Sequence, residues 1–311
     1  MPAFLAWQEA EAIAGPARSY RLACKLAVAT RGLDFTTSTR ATWALARTKF
    51  WKGRFEDSRD LLASIDPEKL NLAALSQDEH PKTHPEARLE LLIPAQLSWS
   101  LAMLGDTDNA IAQAQRVVNW AKTQSEPACA TVSNFYLASL YCLLDAPEDT
   151  RIWSQKAQKS DTANPHHQEH KLIATLLEYW ALSRLPRPNQ PNDEAAAQTA
   201  LAELRRTHPA HEARAFSLYA QAQFHQTPAM AVTQLDAALD MNARFGLHHW
   251  DARLLHLKSR SLDASGQLSE ASRFLELARE VAQKQNARLF LNDITRIESR
   301  TYGSPHLESA T

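Results

Sequence analysis

The sequence predicts an all-α protein, an α-solenoid in which about six helical hairpins stack into a right-handed superhelix with short helices at both ends. Three observations carry this. There are only seven glycines in 311 residues, too few for the tight turns of β-hairpins. Ala, Leu, Gln, Glu and Arg, all strong helix formers, dominate instead. Finally, one helix–turn–helix pattern recurs along most of the chain.

The clearest copy is Trp250–Ala287, two amphipathic runs either side of Gly266. Upstream copies are weaker. Residues 3–14 and 17–31 read as two short helices parted by Gly15-Pro16 and stopped at Gly32. These form an N-terminal cap over 1–36, followed by a repeat domain over 37–301 and a disordered tail over 302–311. The first hairpin runs to about Trp51, turns at Gly53, and carries Phe55, Leu61, Leu62 and Ile65 on its second helix. Residues 66–85, with Pro67, Pro81 and Pro85, form the longest loop.

In the next hairpin Leu97, Leu101 and Leu104 precede Gly105, and Ala110, Ala114 and Val117 follow. Asp106 or Thr107 is placed to cap the second helix. Pro94 predicts a kink or a late start in the first. Asp145 takes the turn of the third hairpin, with Pro147 and Glu148 opening its second helix. A fourth hairpin is interrupted by PRPNQPND. The fifth turns near Gln226, with Thr227-Pro228 as cap and first-turn pair, and a last helix spans about Leu289–Thr301.

The copies align. Gly105 and Asp145 are 40 residues apart, as are Gln226 and Gly266. Five residues after each turn stands a small residue: Ser58, Ala110, Thr150, Ala231 and Ala271. A small side chain there lets two helix axes approach closely.

This pattern resembles the tetratricopeptide repeat, with a period near 40. SWSLAMLGDTDNAIAQAQRVVNWAKTQ and the stretch from His249 to Ala287 are similar to the helical repeat region of bacterial class III adenylate cyclase–ATPase fusions and of maltose-activator-like transcription regulators. RATWALARTKFWKGRFEDSRDLL is similar to an upstream repeat of that region. The resemblance spans roughly residues 37–298. It implies the sensing or docking part of such regulators: no GxxxxGK[ST] string accompanies it, and no helix-turn-helix segment follows it.

Composition bounds function. With 34 basic and 35 acidic residues the formal charge is −1, so no global field draws in nucleic acid or an anionic membrane. No basic n-region precedes an apolar run, and no stretch of eighteen apolar residues occurs, so the expectation is a cytoplasmic protein. Cys24, Cys129 and Cys142 lack CxxC spacing and read as buried thiols. His166, His167 and His170, His80 and His84, and His208 and His211 flank prolines and read as solvated helix ends, so no metal is assigned. His248-His249-Trp250-Asp251 reads as structural. No catalytic residue and no cofactor is expected.

In a tetratricopeptide-like array the first helix of each hairpin lines the concave face. The candidate partner-binding residues are therefore Arg40, Trp43, Arg47, Phe50, Trp99, Phe135, Trp180, Arg184, Phe216, Phe224, Arg253, His256 and Arg260. Aromatics with arginines are the composition of binding hot spots. The guanidinium fork suits a carboxylate, so the expected partner is a protein or peptide with an acidic or C-terminal segment. The leading expectation is a regulatory adaptor. The alternatives are a small-molecule or peptide sensor whose ligand changes the superhelix, and a homo-oligomeric structural protein.

Overall fold

The computed structural model describes residues 2–70, 88–124, 127–159, 168–186 and 191–302. Among them every regular element is a helix. In chain order these are α1 (Pro2–Ala14), α2 (Pro16–Ala29), α3 (Phe35–Trp51), α4 (Phe55–Ala63), α5 (Leu89–Met103), α6 (Thr107–Thr123), α7 (Pro127–Leu143) and α8 (Pro147–Lys159). They continue as α9 (Gln168–Arg184), α10 (Pro191–Thr207), α11 (Pro209–Gln226), α12 (Val232–Phe245), α13 (Asp251–Ala264), α14 (Leu268–Lys284) and α15 (Arg288–Tyr302). No described helix is long and apolar enough to cross a membrane.

Successive helices pack on each other, most closely α13 on α14, α7 on α8, α8 on α9 and α5 on α6, and α9 also packs on α11. The small residues sit where expected, with Ser58, Ala110, Thr150, Ala231 and Ala271 all buried. Ser259 Oγ of α13 donates to the Ala271 carbonyl of α14 at 2.7 Å, and Ser100 Oγ of α5 lies 3.0 Å from Ser58 Oγ of α4. Neither approach leaves room for a large side chain. Asp145 holds φ +58° in the α7–α8 turn, the conformation that Gly53 and Gly105 adopt in theirs.

Several local expectations change. Asp106 sits at the start of α6 but caps no amide, its carboxylate accepting instead from Asn109 Nδ2. Pro94 lies within α5, which starts at Leu89, so the missing proline N–H costs one bond near the helix start. Thr227 makes no side-chain cap, and Pro228–Met230 form a short 3₁₀ turn before α12. Most of the long loop, His166, His167 and the tail lie outside the described residues.

Both ends of the chain meet its middle. α1 packs on α11, α2 on α12, and α15 on α5. Gly53 and Gly105 seat the C-terminal helices: a Cβ at Gly53 would collide with the Gln285 amide, and one at Gly105 would lie 3.1 Å from Arg288 Cβ. The His248 amide donates to the Trp51 carbonyl at 2.6 Å, and Gln285 Nε2 donates to the His248 carbonyl at 2.8 Å. Helices that a linear stack would hold apart thus enclose a shared interior.

Candidate functional site

The interior lies between the inward faces of α3, α5, α7, α9 and α11 and the segment leading into α13. One carboxylate from α1 holds three of its lining side chains. Glu11 Oε1 accepts from Arg47 Nε at 3.0 Å, Trp51 Nε1 at 2.8 Å and Arg214 Nη2 at 3.0 Å, while Oε2 accepts from Arg47 Nε at 3.2 Å. Arg47 Nη1 donates onward to Tyr136 Oη at 2.8 Å. All five side chains are buried. Burial alone would raise the Glu11 pKa, but Arg47 and Arg214 outweigh it and hold the carboxyl below its usual range. The Arg214 guanidinium lies 4.1 Å from the Trp51 ring centre. Burial and the neighbouring Arg47 lower its pKa to about 10 despite Glu11.

A second carboxylate faces the first. Glu169 Oε2 is 2.5 Å from His211 Nδ1, and Glu169 Oε1 is 3.8 Å from His170 Nδ1. Burial opposes ionisation of Glu169, and His211, His170 and His208 overcome it, keeping the carboxyl well below its usual range. His249 stands edge-on to Trp51 at 4.6 Å and near Phe50 at 5.9 Å. Burial, with Arg214 nearby, keeps its pKa well below that of a free imidazole. Arg47, Arg214, Glu169, His211 and His249, with Trp51, Trp99, Phe135, Leu218 and Trp250, line a cavity of about 60 Å³ whose walls are mostly apolar.

The candidate partner-binding residues do not form an open groove. Trp180, Phe50 and Trp99 are 0%, 1% and 3% exposed, and Trp43, Arg47, Phe135, Phe224, Arg253 and His256 are also buried. The reason is the closure of the chain. Trp43 is covered by Phe4 and Trp7 of α1, at ring distances of 6.2 and 5.5 Å. Trp99 Nε1 donates to the Tyr136 carbonyl at 3.0 Å, and Phe135 meets His170 edge-on at 4.8 Å. Arg47, Phe50, Trp99 and Phe135 come together around the cavity. Phe216 is half-buried against Tyr219, and Arg40 lies half-buried in the field of Glu90.

A different group gathers at the α7–α8 turn. Asp145 Oδ1 accepts from Arg253 Nη2 and Oδ2 from Arg184 Nη2, each at 2.7 Å. Arg253 Nη1 also donates to the Leu143 carbonyl at 3.3 Å, at the C-terminal end of α7. Arg184 Nη1 reaches the His225 ring at 3.2 Å. The guanidiniums of Arg184 and Arg253 face the Trp180 ring at 6.0 and 5.8 Å. Arg260, exposed, lies over the buried Phe224 at 5.0 Å. Burial, then the surrounding arginines, lowers the His225 pKa to about 2 and that of His256 to about 4.

Sequence reasoning missed Glu11, Tyr136, Glu169 and Arg214. His170 and His211 were expected at solvated helix ends; both are buried, because the first turns of α9 and α11 point into the interior. Among the described residues no group of three or more His, Cys, Asp or Glu is arranged to hold a metal. No family model, curated protein or solved structure matches the chain.

Proposed function

We propose that this protein is a non-catalytic regulatory sensor: an α-solenoid of tetratricopeptide-like hairpins, wound as a right-handed superhelix and closed around a small-ligand site. It acts in the cytoplasm and signals to a protein partner. One observation favours the sensor over a peptide-binding groove. Most of the arginines and aromatics of the inner helices are buried around a small cavity with polar atoms on its wall. Enclosed, mostly apolar sites with a few polar groups are how proteins hold small molecules.

The cavity wall draws on Arg47 and Phe50 of α3, Trp99 of α5, Phe135 of α7, Glu169 of α9, Arg214 of α11 and Trp250 ahead of α13. A ligand touching several of these ties the start of the chain to its end. It thereby shifts the balance between closed and looser arrangements by its differential affinity for them. A partner reads that shift on the outer surface.

The test is a thermal-shift screen of small amphipathic metabolites against the full chain. A ligand at a hundredfold excess over its Kd stabilises by about 2.7 kcal/mol, so at least one compound should raise Tm saturably by several degrees. Leu218→Phe, which narrows the cavity, should abolish the shift. A screen in which no compound shifts Tm, or in which every shift persists in Leu218→Phe, rejects the reading.

A further inference from the structure

The cavity wall carries unmet hydrogen-bonding capacity. His211, Arg214 and His249 all line it and all are buried. His211 Nε2, Arg214 Nε and His249 Nδ1 have no hydrogen-bond partner among the described residues. An arginine Nε–H can only donate, and an imidazole nitrogen can donate in one tautomer or when protonated. Buried donors are costly to leave unmet and are rare in native proteins. With His211 Nδ1 turned to Glu169, its Nε2 donates only in the imidazolium, whereas Arg214 Nε–H always donates and His249 Nδ1 does so in one tautomer; these two point to an occupant that brings acceptors.

The resident carboxylates are already committed. Glu11 is shared by two guanidiniums and the Trp51 indole, and Glu169 lies against His211 and His170. Arg214 shares Glu11 with Arg47, and its Nε is left without a partner. We propose that the cavity binds a small monocarboxylate with a compact apolar body, its carboxylate meeting Arg214 and His249 and its body lying against Trp51, Trp99, Phe135 and Leu218. The proposal rests on the enclosed-ligand reading and names the class of ligand.

Two features narrow the class. The apolar walls disfavour inorganic dianions, which lose more hydration than these few donors restore. The volume of about 60 Å³ admits a body of only a few heavy atoms. A single negative charge on a two- or three-carbon acid satisfies both.

The experiment titrates the full chain with acetate and propionate at constant ionic strength, following tryptophan fluorescence, to which Trp51, Trp99 and Trp250 on the cavity wall contribute. Acetamide and propionamide serve as neutral isosteres. Saturable binding of an acid, at least tenfold tighter than its amide, is the expected result. Arg214→Gln should weaken acid binding at least tenfold and leave the amides unchanged. Because Arg214 also holds Glu11, Leu218→Phe supplies a second variant that spares that network and should abolish acid binding. Amides that bind as well as or better than the acids overturn the carboxylate class and leave the enclosed-ligand reading standing. Failure of both acids to bind overturns the class, and the metabolite screen then decides the reading beneath it. Undiminished acid binding in Leu218→Phe places the site elsewhere and overturns both.

Discussion

The Glu11 cluster and the Asp145 cluster are built from the same parts, one carboxylate between two arginines beside a tryptophan, yet they differ in what is left over. Asp145 sits at a turn, about a quarter exposed, and its oxygens each meet one guanidinium. Arg253 spends its remaining donors on carbonyls at the end of α7. That cluster is a staple joining α7, α9 and α13, and it is closed. Around Glu11 every side chain is buried and Arg214 Nε is left without a partner. The comparison teaches that an arginine–carboxylate pair says little about function until its unsatisfied atoms are counted.

The two clusters should respond differently when broken. Glu11→Ala leaves two buried guanidiniums without their carboxylate and is expected to cost about 3–5 kcal/mol, read as a lowered urea midpoint. Asp145→Ala should cost less than half as much, since water reaches that site. Equal losses would mean that the Glu11 cluster is not the drier of the two. Next in size is Arg253→Ala, expected to cost roughly 2 kcal/mol through lost carbonyl bonds and lost packing on Trp180 and Trp250.

Acid should then weaken both regions. His225 and His256, facing Arg184, Arg253 and Arg260, and His249, facing Arg214 and His248, are held neutral below the ordinary value of 6.5. The unfolded chain binds these protons and the folded chain does not. Stability is therefore full above pH 6.5 and falls as pH drops below it, levelling near 4 for His256 and near 2 for His225. Each histidine contributes about 1.4 kcal/mol per pH unit. Urea unfolding at pH 7.5 and 5.5 should show the loss, and His249→Gln and His225→Gln should each remove about one proton of uptake. A flat profile would contradict the buried neutral histidines. The smallest effect belongs to Arg260→Ala, on the surface over Phe224, which should stay within about 0.5 kcal/mol of the parent.

Helix-by-helix, the sequence was readable because hairpin turns leave local marks. Gly53, Gly105 and Asp145 each break the helical pattern in the residues beside them, and Ser58 or Ala271 marks a close crossing. The site was not readable because its bonds are remote in sequence. Arg214 meets Glu11 across 203 positions and Tyr136 meets Arg47 across 89. Arg47, Arg253 and His256, expected to meet a partner on the concave face, are all buried. The carboxylates that hold Arg47 and Arg253 lie on α1 and in the turn after α7, which no helical period connects to them. His170 and His211 look like helix-end residues because proline sits nearby, and only the direction of the helix's first turn shows that they face inward.

Closure of the inner face is the claim on which the enclosed site depends, and hydroxyl-radical footprinting of the full chain tests it most directly. Trp43, Trp99, Phe135 and Trp180 should label as slowly as Trp7 and Phe290, both buried in the core, and more slowly than the half-buried Trp120 and Trp153. Labelling of Trp99, Phe135 and Trp180 at or above the rate of Trp153 would contradict the closed interior and restore an open groove.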